Sequence, residues 1–106
     1  MKIILKNKEI NVKTCQKFKD RLLGMMFKKE KLNYGLCFPK CNSIHTFFMK
    51  QNIDVIMTDK NNKILYKYNN LKPYKIILPK KNVYYVYEFS QNLITEELGE
   101  YLNIEK

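Results

Sequence analysis

Residues 83–89 read VYYVYEF, and this run limits the folds open to the chain more than any other stretch. β-branched and aromatic side chains fit a pleated surface and lose rotamer freedom in a helix, so the run belongs in a strand. Shorter runs of the same kind recur between polar turns. KIILK at 2–6 and EINV at 9–12 flank Asn7-Lys8, which predicts a two-residue hairpin. A strand is expected near 35–38, stopped by Pro39. Residues 45–49 and 53–58 read as two paired strands, with His45, Phe47 and Met49 on one face of the first and Ile44, Thr46 and Phe48 on the other. A polar turn from Asp59 to Lys63 precedes a strand at 64–68. Asn69-Asn70 and Lys72-Pro73 mark a loop, a short strand at 74–78 is closed by Pro79, and a last strand is expected at 101–104.

Helical signals are sparse. Thr14 can cap a helix whose apolar positions are Cys15, Phe18, Leu22 and Leu23 and which Gly24 ends. Ser90 can cap a second short turn running through Leu98. The expectation is one domain over residues 1–106. It is mainly β (α+β), a compact barrel-like or sandwich domain of seven to eight short strands with one or two short helices.

The 106-residue chain is long enough for one core, and its hydrophobic fraction of 45% supports a folded globule. No apolar run approaches the ~20 residues of a membrane span, so no membrane partner is expected. The apolar run Ile3-Ile4-Leu5 is too short for a signal-peptide core, which leads to an expected cytoplasmic location. Three cysteines, Cys15, Cys37 and Cys41, argue against a disulfide framework.

The net charge of +10 comes from 19 lysines and a single arginine, Arg21. Lys, Asn, Ile, Tyr and Phe all use A/T-rich codons, so drift in base composition alone can produce such a surface. Base-reading proteins depend on arginine forks, and these are missing. What remains is weak, salt-sensitive attraction to phosphate. Residues 1–82 carry 19 basic and 5 acidic side chains, whereas residues 83–106 carry 1 and 5, so a basic body meets an acidic end.

The stretch CNSIHTFFMKQNIDV at 41–55 holds the only histidine and a nearby cysteine. Cys37, Cys41 and His45, with Cys15, have the soft ligand types that zinc takes. Their spacing counts against it: Pro39 lies between two of the cysteines and His45 opens an apolar strand, so no metal and no cofactor is expected. Cys41 and His45 could form a thiolate–imidazolium pair only if the chain turned at Asn42-Ser43, since four extended steps span ~13 Å. Asp54 lies between Ile53 and Val55. It either alternates into water or points inward and needs a partner, for which Arg21 is the candidate.

Several motifs in order resemble the domain-of-unknown-function 192 family: RLLGMMF with Arg21, Gly24, Met25 and Met26; SIHTFFM; Ile53-Asp54-Val55; KPY; and the β run reaching Glu88. The late Glu-Leu-Pro-Ala-Gly segment of that family is matched by Glu88-Phe89-Ser90-Gln91-Asn92, with Ser90 in place of the proline and Asn92 in place of the glycine. The resemblance implies a small, mainly-β domain with a helix packed on it, and no established activity. Gly24 and Glu88 are expected to be structural.

The leading expectation is a non-catalytic binding domain for a small ligand or peptide, with a cleft near the 43–55 strand pair formed by Arg21, Cys41, His45, Met49 and Asp54. The alternatives are a weak, lysine-driven nucleic-acid binder in which Tyr84, Tyr85 and Tyr87 stack bases, and a Cys/His enzyme or metal site.

Overall fold

The computed structural model describes residues 1–17, 25 and 28–106. Nine strands are seen: β1 (Lys2–Ile4), β2 (Glu9–Thr14), β3 (Gly35–Pro39), β4 (Ile44–His45), β5 (Ile53–Thr58), β6 (Ile64–Leu71), β7 (Ile76–Ile77), β8 (Tyr85–Ser90) and β9 (Ile104–Glu105). Seven form one sheet in the order β6-β5-β8-β3-β2-β1-β9, and β4 pairs with β7 in a separate two-stranded lobe. All pairings are antiparallel except β2 with β3. A parallel pair requires a long crossover, and residues 15–34 supply it.

The large sheet curls into a half-barrel. Residues 100–102 lie against the start of β6: Ile64 N donates to Glu100 O at 2.9 Å and Leu102 N to Asn62 O at 2.9 Å, while Ile4 N on the other side donates to Asn103 O at 2.8 Å. The curl gives the sheet an inside and an outside. Ile3, Val12, Cys37, Ile56, Tyr87, Phe89 and Leu102 form one buried cluster drawn from strands right across the sheet, so they meet within the curl. Alternation puts Ile53, Val55, Met57, Leu36, Phe38 and Val86 on the other face, where they pack with Cys15, Met25, Met49, Ile77 and Val83. Gly35 is required by this packing, since a Cβ there would lie 2.4 Å from Cε1 of the Phe89 ring.

The mainly-β architecture follows the sequence reading, with differences of detail that have physical causes. No helix occurs among the described residues. Thr14 is the last residue of β2, not a helix cap, because pairing with β3 continues through Thr14↔Cys37 and on to the Cys15 N–Cys37 O bond of 2.8 Å. The rest of the helix expected at 14–24 lies outside the described residues. Residues 91–98 are irregular, opening on a turn at Gln91 and Asn92, where Asn92 takes φ 65.

Residues 45–49 are not a strand, and they do not pair with β5. Only Ile44 and His45 are extended, against Ile77 and Ile76. The chain then folds back on Thr46, which is buried. Its Oγ1 donates to Lys72 O at 2.7 Å and accepts from Lys75 N at 2.8 Å, and its carbonyl accepts from Tyr74 N at 3.1 Å. Phe48 and Tyr74 both take φ 64, a left-handed conformation costly for bulky residues and held here by that knot. The predicted faces are therefore redistributed. Met49 and Thr46 are buried, while His45 and Phe48 are exposed.

Among the described residues, four of the seven non-glycine residues at positive φ are asparagines: Asn62, Asn70, Asn82 and Asn92. Asn62 closes the Asp59 turn, whose carboxylate accepts from Asn61 N at 2.8 Å and Lys63 N at 3.0 Å.

Candidate functional site

Strand registers bring five strand ends to one rim. Lys2 pairs with both Asn11 and Glu105, β2 runs parallel to β3, and Pro39 pairs with Tyr85. The starts of β1 and β8 therefore meet the ends of β2, β3 and β9. Between them opens a cleft of about 520 Å³, within the usual range for ligand sites and at the mouth of the curled sheet.

Cys37 forms its floor and is fully buried; Pro39, Tyr84 and Tyr85 wall one side, and Thr14 and Gln16 the other. Lys40 and Lys106 stand on the rim. Tyr84 and Tyr85 meet edge to face at 4.7 Å. Below them Tyr85, Tyr87 and Phe89 form a column along one face of β8, with Tyr87 and Phe89 parallel to within 5°. Deeper in the column the Tyr87 hydroxyl donates to Asn62 Oδ1 at 2.6 Å. A smaller cleft of about 360 Å³ shares Tyr84 and is lined by Asp59, Lys60, Asn61 and Asn82.

Electrostatics at the mouth count against a thiolate nucleophile there. Burial pushes the Cys37 thiol up to about 11, so it stays protonated at neutral pH, and a thiol is a poor nucleophile. Burial also raises the Tyr85 phenol, reinforced by Tyr84 and Cys37. The lining offers neutral hydroxyls, an amide, aromatic faces and ammonium groups.

The residues singled out in the sequence do not gather here. Arg21 and Gly24 lie outside the described residues. Cys41 and Met49 both pack on the outer cluster, and the Cys41 thiol donates to Ser43 O at 3.2 Å. His45 is exposed, stacks on Phe47 at 5.2 Å, and its Nδ1 accepts from Phe47 N at 3.3 Å. Asp54 bonds to backbone: Oδ1 accepts from Asn70 N at 2.8 Å and Oδ2 from Asn92 N at 3.0 Å. It clamps the bulged end of β6 and the turn after β8 to β5. Among the described residues no group of three or more His, Cys, Asp or Glu side chains is placed to hold a metal ion.

Glu88 is buried on the outer face between Leu36 and Val55. Its Oε1 has no hydrogen-bond partner among the described residues, and desolvation pushes its carboxyl up to about 7. Two residues on, Ser90 is fully engaged. Its hydroxyl donates to Gln51 Oε1 at 2.8 Å and accepts from Leu32 N at 2.8 Å, while Gln51 Nε2 donates to Lys28 O and Glu30 O. Sequence reading missed Gln51, Thr46 and the mouth residues. Of the mouth residues, Tyr84 and Tyr85 had been singled out as a stacking platform and Cys37 as a candidate metal ligand, and both rings are half-buried.

The fold and its mouth define a small curled-sheet domain, and comparison with known proteins places it among relatives of that kind. The family profile of DUF192, "Uncharacterized ACR", matches residues 1–99, and the chain belongs to this family. It is 38% identical over 101 residues to a UPF0127 protein of Pyrococcus horikoshii, covering 87% of this chain and 85% of that one. It is 31% identical over 97 residues to a UPF0127 protein of Pyrococcus furiosus, covering 86% and 83%. Among solved structures, a protein of unknown function from Novosphingobium aromaticivorans superposes with a TM-score of 0.71 at 15% identity, covering 87% of this chain and 72% of that one. A likeness at that identity bears on the fold alone. The family and its named relatives carry no assigned activity.

Proposed function

We propose that the protein is a non-catalytic binding domain that takes a small organic anion at the mouth of the half-barrel. The observation that carries this reading is the cleft of about 520 Å³, with protonated Cys37 at its floor and Tyr84, Tyr85 and Lys40 around it. Its lining brings aromatic faces together with a thiol, a hydroxyl, an amide and ammonium groups, so it is more polar than the usual apolar ligand pocket and suits a charged ligand. Tyrosine faces accept a flat apolar body, Thr14 and Gln16 offer hydrogen bonds, and the rim ammonium groups favour a carboxylate or phosphate. The site differs from the cleft expected at 43–55, whose residues do not line the mouth.

Titration of isotope-labelled protein with 4-hydroxybenzoate, followed by amide chemical shifts, tests the reading. Saturable shifts are expected at Thr14, Gln16, Lys40 and Tyr84, weakened in Lys40→Glu and absent in Tyr85→Ala. Shifts scattered over the surface, or unchanged in both variants, would remove the mouth as the site.

A further inference from the structure

The β4–β7 lobe carries the three most exposed large apolar side chains of the described residues, with Phe48 beside them. Leu78 is 70% exposed, Tyr74 66%, Ile76 59% and Phe48 52%. Ile77 between them is buried, so alternation points Ile76 and Leu78 outward, and Ile76 lies directly across from exposed His45. Tyr74 extends the patch toward Phe47, their rings 6.3 Å apart. Such exposure is that of projecting tips, since a groove would shelter them. Contiguous exposed apolar surface of this kind marks a contact site.

The chain segments that carry these tips are rich in lysine. Residues 40–53 and 60–82 contain nine lysines and neither aspartate nor glutamate. Lys50, Lys72, Lys75 and Lys81 are exposed next to the patch in sequence. Among the described residues the ion pairs of the acidic end reach Lys8, from Glu96 at 3.3 Å, and Lys63, from Glu100 at 3.4 Å, and none of these four.

We propose that this lobe docks on an anionic lipid surface, with Ile76 and Leu78 dipping into the headgroup–acyl boundary and the lysines facing acidic headgroups. The chemistry selects that occupant. Ile76 and Leu78 gain nothing from base stacking, and the aromatic rings of Tyr74 and Phe48 beside them suit the headgroup level of a bilayer. Projecting apolar groups ringed by lysine fit a deformable interface that is apolar beneath and negative above. Lysine suits this position because its stem reaches along apolar surface while its ammonium stays wet. No helix among the described residues is long and apolar enough to cross a membrane, so the contact is a surface one. The inference is independent of the ligand site at the mouth.

Co-sedimentation with phosphatidylcholine vesicles, with and without phosphatidylserine, tests it. Binding is expected only with phosphatidylserine. Ile76→Ser with Leu78→Ser leaves the net charge unchanged and should weaken binding roughly a hundredfold, from the loss of two inserted aliphatic side chains. Lys75→Gln should weaken it about fivefold, and Lys6→Gln in the β1–β2 turn less than about twofold. Circular dichroism checks that each variant keeps the fold. The proposal falls if the serine pair binds as the parent does, for adsorption is then charge alone. It falls equally if phosphatidylserine vesicles are not bound, or if single-stranded DNA is bound while they are not.

Discussion

Tyr87 and Phe89 project from one face of β8 into the curl of the sheet, while Val86, Glu88 and Ser90 project from the other under the segments that cover it. The inner face is aromatic, with parallel rings and a hydroxyl that finds Asn62. The outer face is rich in methionine, with Met25, Met49 and Met57 around it, and contains a carboxyl lacking a partner among the described residues. Rings with two rotatable bonds specify one arrangement, whereas methionine fills irregular space and tolerates change. One strand thus serves a rigid wall and an adaptable one, and its buried carboxyl sits on the adaptable side.

The largest effect should come from the rigid side. Phe89→Ala removes the ring that lies over Gly35, and a loss of about 3–5 kcal/mol is expected in denaturant unfolding. A loss no greater than that of Met57→Leu on the outer face would break the contrast.

Glu88 sharpens it from the other side. Its carboxyl holds its proton to about pH 7 when folded but ionises near the ordinary 4.5 when unfolded. The unfolded chain therefore gains from ionisation first. Stability is highest below that ordinary value, declines by about 3 kcal/mol as pH rises to about 7, and is flat above. Glu88→Gln cannot ionise and should remove this slope, leaving the variant more stable than the parent at pH 8. Unfolding free energies across pH check this, and an unchanged slope would show that the carboxyl is paired.

The smallest of the three effects is at Asp54, outside both clusters. Asp54→Ala orphans the Asn70 and Asn92 amides, which are partly open to water, so about 1–2 kcal/mol is expected. Faster hydrogen exchange at those two amides, with β8 unaffected, is the matching observation.

Legibility in the sequence followed the range of the interactions. The β1–β2 hairpin, the Asp59 turn, the stop at Pro39 and the β8 strand rest on neighbours within a few residues, and each was read correctly in kind. Residues 45–49 were misread because alternation looked local, while the bonds that decide the matter join Thr46 to Lys72 and Lys75, 26 and 29 residues away. The role of Asp54 was missed for the same reason. Its partners are backbone N–H groups, which no side-chain pattern announces. The mouth has no sequence signature either, since its lining comes from the ends of separate strands.

The asparagines at positive φ have one more consequence. The whole chain has only three glycines, and asparagine takes up bends that glycine usually makes. Glycine can only bend a backbone, but a carboxamide can also hold on to something. Asn62 grips the Tyr87 hydroxyl at 2.6 Å, and Asn70 accepts from the Asn52 amide at 2.8 Å. In this protein a corner of the chain doubles as a fastener, so changing such a corner to glycine would keep its shape and release what it secures.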